Sequence, residues 1–152
     1  MLLIACSHSA EQAASKSLPP KRHKDSLITF TITPPDTINP YTLLLSLRNN
    51  TKYPYSNLFL ITHLEYPHGK TITDTLEYRM AAPNGQWLGK GLGQLKDNLL
   101  AYKDQFVFKE TGVYVLKITH ALRNNGEAEG VTELEGITDI GYQLNTSNLN
   151  QQ

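Results

Sequence analysis

Thr71-Ile72-Thr73-Asp74-Thr75-Leu76-Glu77-Tyr78-Arg79-Met80 decides the fold. Ile72, Leu76, Tyr78 and Met80 fall on one side with Asp74 as the exception, and Thr71, Thr73, Thr75, Glu77 and Arg79 fall on the other. Strand side chains alternate between two faces, so this period of two marks a strand with one buried face. The same pattern continues upstream. Ile28, Phe30 and Ile32 alternate with Thr29, Thr31 and Thr33 until Pro34-Pro35-Asp36 ends the run. A strand over 41–48 lines up Leu43, Leu45 and Leu47, with Leu44 on the other face, before a turn at Asn49-Asn50. A third over 57–66 sets Leu58, Leu60 and Leu64 against Phe59, Ile61 and His63, and Pro67-His68-Gly69 turns the chain into the fourth.

Downstream, the stretch 84–93 is read as a bulged strand or close-packed loop, because its glycines weaken a strand interior. A short helix is expected over 95–102. Strands resume over 105–108 and 112–122, and a final one over 136–144 has imperfect alternation that places a bulge near Asp139. Seven to eight short strands separated by regular turns, with no sustained helical period, predict an all-β, antiparallel β-sandwich. A jelly-roll arrangement is the preferred topology.

Composition agrees and excludes several classes. The chain has 152 residues, 39% hydrophobic, with 14 basic and 14 acidic side chains and a net charge of +0. That length supports one domain that buries roughly 68% of its extended-chain surface. Zero net charge leaves no excess to hold nucleic acid. Nothing approaches the roughly 18 consecutive apolar residues of a membrane-spanning helix, and a single cysteine excludes an internal disulfide and any multi-cysteine metal cluster.

That cysteine sits in Leu3-Ile4-Ala5-Cys6, which has the form of a bacterial lipobox, with Cys6 as the lipid attachment residue. A signal peptide needs a basic region and roughly 7 to 15 apolar residues, and only five residues precede Cys6. Residues 1–5 therefore read as the remnant of a signal peptide whose start lies further upstream. The alternative is a cysteine placed by chance in a short apolar start. Residues 6–26, from the lipidated cysteine onward, read as a flexible tether, rich in Ser, Ala, Lys and Gln with no strand or helix period. Within it Lys21-Arg22-His23-Lys24 is either a contact for phospholipid head groups or a solvated linker. The β-sandwich is placed at 27–144 and a frayed polar tail at 145–152.

Catalytic and metal chemistry find little footing. His63-x4-His68 straddles a turn, and no carboxylate pair completes a ligand set with His120. No metal and no cofactor is expected. There is no Gly-x-Ser-x-Gly elbow, Gly89-x-Gly91-x-Gly93 lacks the surrounding βαβ unit of a nucleotide loop, and Asp74 and Glu77 face opposite ways. Catalytic residues: none. Tyr53, Tyr55 and Trp87 lie at turns, where they could stack on sugar rings, anchor a protein partner, or plug the ends of the sandwich. Arg48 and Arg123, each followed by Asn at a strand end, complete the candidate binding surface, or else form solvated strand-end ion pairs.

Taken together, Leu47-Arg48-Asn49-Asn50, Tyr53-Pro54-Tyr55-x-Asn57-Leu58, Pro67-x-Gly69 with Asp74-Thr75, Gly85-x-Trp87-Leu88-Gly89-x-Gly91-x-Gly93, Gly112-x-Tyr114, Leu122-Arg123 and Leu134-x-Gly136-Ile137-x-Asp139-Ile140-Gly141 resemble the gliding-motility lipoprotein GldH family of Bacteroidetes in order and spacing. The resemblance spans about Phe30 to Leu144. It implies a lipoprotein of the gliding machinery associated with type IX secretion, without catalytic activity, and it carries only Cys6 over by role. The expected partners are other envelope proteins of that machinery, with the membrane reached through lipid on Cys6. The expected location is the outer membrane, on its periplasmic face, since Ser7-His8-Ser9-Ala10-Glu11 contains one acid rather than the acidic run of surface-exported lipoproteins. The alternative is a lipid-anchored carbohydrate-binding module that uses Tyr53, Tyr55 and Trp87 to hold a glycan.

Overall fold

A computed structural model describes residues 11–23, 26–91, 93–121 and 133–147. These residues form ten strands: β1 Gln12–Ser17, β2 Lys21–His23, β3 Ile28–Ile32, β4 Pro40–Asn49, β5 Asn57–Glu65, β6 Thr71–Arg79, β7 Lys96–Val107, β8 Tyr114–His120, β9 Glu133–Glu135 and β10 Ile137–Thr146. All pairings are antiparallel and nested: β1 with β10, β2 with β9, β3 with β8, β4 with β7, β5 with β6. The chain is thus one long hairpin wound on itself. Winding makes two four-stranded sheets, β1-β10-β4-β7 and β3-β8-β5-β6, with β2-β9 as a separate ribbon. Eight strands in this order form a jelly roll, the topology preferred from the sequence, within the antiparallel sandwich that the alternation predicts.

The inward residues are those the period of two selects. Phe30, Ile32, Leu43, Leu45, Leu47, Leu58, Leu60, Leu64, Leu116, Ile118, Ile140 and Leu144 all belong to the shared core. Each such side chain contributes roughly 1.5–3 kcal/mol by leaving water. Asp74 faces inward as its register requires, and it is neutralised there by Lys103 Nζ of β7 at 3.0 Å. Beside it the Tyr78 hydroxyl donates to the Ala101 carbonyl at 2.6 Å, so the edges of the two sheets are tied where β6 meets β7. The opposite edges are tied by Lys16, whose Nζ donates to the Thr29 carbonyl at 2.6 Å, and by Gln12, whose amide donates to Thr33.

Three expectations change. Part of the supposed tether, Gln12–Ser17, is the edge strand that completes the first sheet, and Lys21–His23 pairs with Glu133–Glu135. Almost every side chain of β1 is exposed, so this strand is held by backbone pairing and carries no apolar alternation to read. The short helix expected over 95–102 is instead the first half of β7. Leu95, Leu99 and Tyr102 stand at helical spacing, but β4 pairs with this segment from Asn49↔Lys96 to Pro40↔Val107 and wins. The last strand runs to Thr146, and Ser147 still donates its N–H to the Pro40 carbonyl; only 148–152 of the supposed tail lie outside the described residues. The bulge expected near Asp139 is present as a register shift between Ile137 and Asp139.

Strand directions define two ends. The lower end holds the start of β1, the end of β10 and the loops at 33–39, 66–70 and 108–113, closed by a stack in which Phe108 meets Tyr114 at 4.9 Å and Tyr41 at 6.1 Å. The upper end holds the loops at 50–56 and 80–95 together with Gly136.

Candidate functional site

The outer face of the β1-β10-β4-β7 sheet carries the candidate site. Cross-strand register places Ser17, Asp139, Arg48 and Asp97 in one row across the four strands, and Ser15, Gly141, Ser46 and Leu99 in the next. The first row is an ion-pair relay. Arg48 Nε donates to Asp97 Oδ1 at 2.7 Å, and its Nη1 lies 3.8 Å from Asp139 Oδ2. Asp139 is held in turn by the Ser17 hydroxyl at 3.0 Å and the Thr138 hydroxyl at 2.8 Å. The second row is made mainly of small residues, which lowers the middle of the face into a groove of about 690 Å³. Gly141 is required there, because a Cβ would come within 2.1 Å of the Ala14 carbonyl oxygen and push β1 off the sheet.

The glycine-rich loop forms the groove's upper wall. Leu88 donates its N–H to the Met80 carbonyl at 2.9 Å, and Lys90 and Asp97 exchange two backbone hydrogen bonds. Gly89 lies against the Asn98 side chain, whose Nδ2 donates to Asn49 Oδ1 at 2.9 Å and to the Leu47 carbonyl at 3.1 Å. This close-packed arrangement is one of the two forms the sequence allowed. It leaves Leu88 and Leu99 about half exposed on the groove, at 51% and 54%.

The aromatic candidates separate. Tyr53 is only 2% exposed and belongs to the core, so its ring cannot form part of a displayed surface. The turn that carries it folds back onto Gly136, and its hydroxyl donates to the Asn57 carbonyl. Tyr55 and Trp87 are half-buried and contact Tyr53 at 5.8 and 6.2 Å with ring planes at 75° and 49°. They seal the upper end and do not lie in one plane as a stacking platform would. Arg48 is brought into the groove, whereas Cys6 and Arg123 lie outside the described residues. Sequence reasoning missed Asp97, Asp139 and Leu99, which join Arg48 only through cross-strand register. The histidines stay apart: His63 bonds the Thr73 hydroxyl at 2.9 Å, and His68 meets Glu110 at 3.1 Å at the lower end. Among the described residues no three His, Cys, Asp or Glu side chains converge on a metal position.

Fold and site together define a jelly-roll β-sandwich with a solvent-open, mixed-charge groove on one outer face. The chain belongs to the GldH lipoprotein family, whose sequence model matches residues 14–144, beginning inside β1. It is 50% identical over 125 residues to the gliding motility lipoprotein GldH homolog of Christiangramia forsetii, covering 82% of this chain and 77% of that one. It is 42% identical over 144 residues to gliding motility lipoprotein GldH of Flavobacterium johnsoniae, covering 95% and 89%. Among solved structures, infectious bursal disease virus of the Gx strain overlaps 94% of this chain at 16% identity and a TM-score of 0.40, and that virus's VP2 subviral particle overlaps 93% at 14% and 0.41. The chain spans about a third of those viral chains, 35% and 34%, and nothing further rests on them.

Proposed function

We propose that this chain is a lipid-anchored, non-enzymatic component of the gliding and type IX secretion machinery, held through Cys6 on the periplasmic face of the outer membrane. It acts by binding other envelope proteins through the groove beside Arg48. Membership of the GldH lipoprotein family supports the gliding role and the anchor. The observation that carries the binding mode is the groove's construction. Arg48 is pre-positioned by Asp97 and Asp139 and flanked by the exposed side chains of Leu88 and Leu99. Arginine is enriched among protein-interface hot spots, the two leucines beside it supply apolar area that docking would remove from water, and an arginine already held in place loses little freedom on docking. The glycan-platform reading has weaker support, since Tyr53 is buried and Tyr55 and Trp87 do not present a flat pair.

The test is complementation of a deletion strain with Leu99→Asp and Arg48→Ala. Both substitutions alter exposed positions of a folded sheet, so the expected result is normal protein level with loss of gliding or secretion, and loss of partners captured by mild crosslinking. Full complementation by both variants would overturn the groove as the binding surface. Glycan-array binding accompanied by a change in Trp87 fluorescence would favour the glycan module instead.

A further inference from the structure

The lower end of the domain carries an exposed aliphatic tip that nothing in the groove uses. Ile38 is 80% exposed, more than any other large hydrophobic among the described residues. It stands on a braced turn. Asp36 Oδ1 accepts from the backbone N–H groups of Ile38 at 3.0 Å and Asn39 at 2.7 Å, while Oδ2 accepts from the Asn39 side chain at 2.9 Å and the Tyr41 hydroxyl at 2.6 Å. The neighbouring loop ends in Val113, 48% exposed, beside this turn because Tyr114 pairs with Ile32. A single exposed aliphatic is ordinary; what matters is where this pair sits. Glu11 donates its N–H to the Leu144 carbonyl, so β1 begins at the lower end. Cys6 is five residues before Glu11 and therefore within about 18 Å of it, however the chain runs between them. Strand β10 carries the upper end roughly 30 Å further away.

We infer that the Asp36–Pro40 turn, with Ile38 at its tip and Val113 beside it, is a second membrane contact that rests in the interface of a zwitterionic phospholipid leaflet and stands the domain upright. This inference rests on Cys6 as the anchor. Lys70, Lys103 and Lys109 at this end are outnumbered by Glu11, Asp36, Asp104 and Glu110, so the attraction is apolar and does not depend on anionic lipid. The upright domain holds the groove's glycine-rich wall away from the bilayer, open to other proteins.

The full chain, coupled through Cys6 to a maleimide-bearing phospholipid in phosphatidylethanolamine/phosphatidylcholine vesicles containing brominated lipid, supplies the test. Wild-type emission comes from Trp87 alone, at the upper end, and is expected to be unquenched. Ile38→Trp should add a blue-shifted component that loses about half its intensity or more to the brominated lipid, with little change in high salt or on adding phosphatidylglycerol. Val113→Trp should show a smaller loss. An unquenched Ile38→Trp signal, or quenching of Trp87 to the same degree, overturns the inference. Mass analysis of the protein from its host separates the two failures: an unmodified Cys6 overturns the anchor, whereas an acylated Cys6 with an unquenched Ile38→Trp overturns only the membrane-contacting turn.

Discussion

Gly136 packs against Tyr53 so closely that a Cβ on the glycine would stand 2.2 Å from the tyrosine's backbone nitrogen. Gly136 also adopts φ +91°, which L side chains rarely take. Two motif segments about eighty positions apart, Tyr53-Pro54-Tyr55 and Leu134-x-Gly136, are therefore one packing unit at the upper end, joined further by the Asn50 N–H donating to the Gly136 carbonyl at 2.8 Å. Gly136→Ala must move backbone atoms as well as strain its own. A destabilisation of about 3 kcal/mol is expected from overpacking and strain together, read from urea unfolding; a loss below about 1 kcal/mol would contradict this packing.

Asn98 joins β7 to the buried end of β4. Asn49 is 1% exposed, and its Oδ1 receives the Asn98 amide. Asn98→Ala leaves that buried acceptor without its donor, which is expected to cost about 1–3 kcal/mol. Asn98→Asp should be at least as damaging, because it replaces the donor with a second acceptor. Thermal unfolding of the two variants checks the order.

Strand β1 makes a stability prediction that separates it from a tether. Deleting residues 1–10 should leave the melting temperature unchanged, whereas deleting 1–18 strips the pairing partner from β10 along six residue pairs. At a net contribution of about 0.5–1.5 kcal/mol per hydrogen bond, of which only some are replaced by water, the second deletion should cost about 3 kcal/mol. That corresponds to a fall of roughly 10 °C. Equal melting temperatures would return 12–17 to the tether.

The Asp36 turn should make stability depend on acid pH. The Tyr41 hydroxyl, then the Asn39 backbone and side-chain donors, then the Ile38 N–H hold the Asp36 carboxyl well below its ordinary range. A carboxylate with a lowered folded pKa binds fewer protons in the native state than in the unfolded chain, so stability rises with pH across that interval. The contribution is fully present above about pH 4, the ordinary aspartate value, and is lost as pH falls from there toward the folded pKa. Asp36→Asn should therefore melt lower than wild type at pH 7, with the gap closing below about pH 4. A gap that stays constant across the acid range would show that the charge on Asp36 is not the source.

The alternating segments were legible because burial of one face leaves a period of two in the residues themselves. The period of two marks β3, β4, β5 and β6, and their inward residues Leu43, Leu45, Leu58 and Leu60 are buried. Where a strand buries little, the signal vanishes. β1 has mostly exposed side chains, and β7 exposes Leu99 on the outer face, so the first carries the pattern of a tether and part of the second carries helical spacing. The glycines of 85–93 pointed to tight backbone packing but not to its partners, Asn98 and Leu95.

What the sequence determined by itself is the all-β class, the core faces and the family resemblance, because each is carried by neighbouring residues or by a pattern along the chain. Tertiary structure alone decided that Tyr53 is core and Arg48 is groove, and that Asp97 and Asp139 flank that arginine. It also decided that Ile38 sits at the end where the chain from Cys6 enters. The reason is physical: a nested hairpin of five pairings brings together residues separated by up to 133 positions, as in the Glu11–Leu144 hydrogen bond. Local sequence does not record which residue of a distant strand will stand opposite.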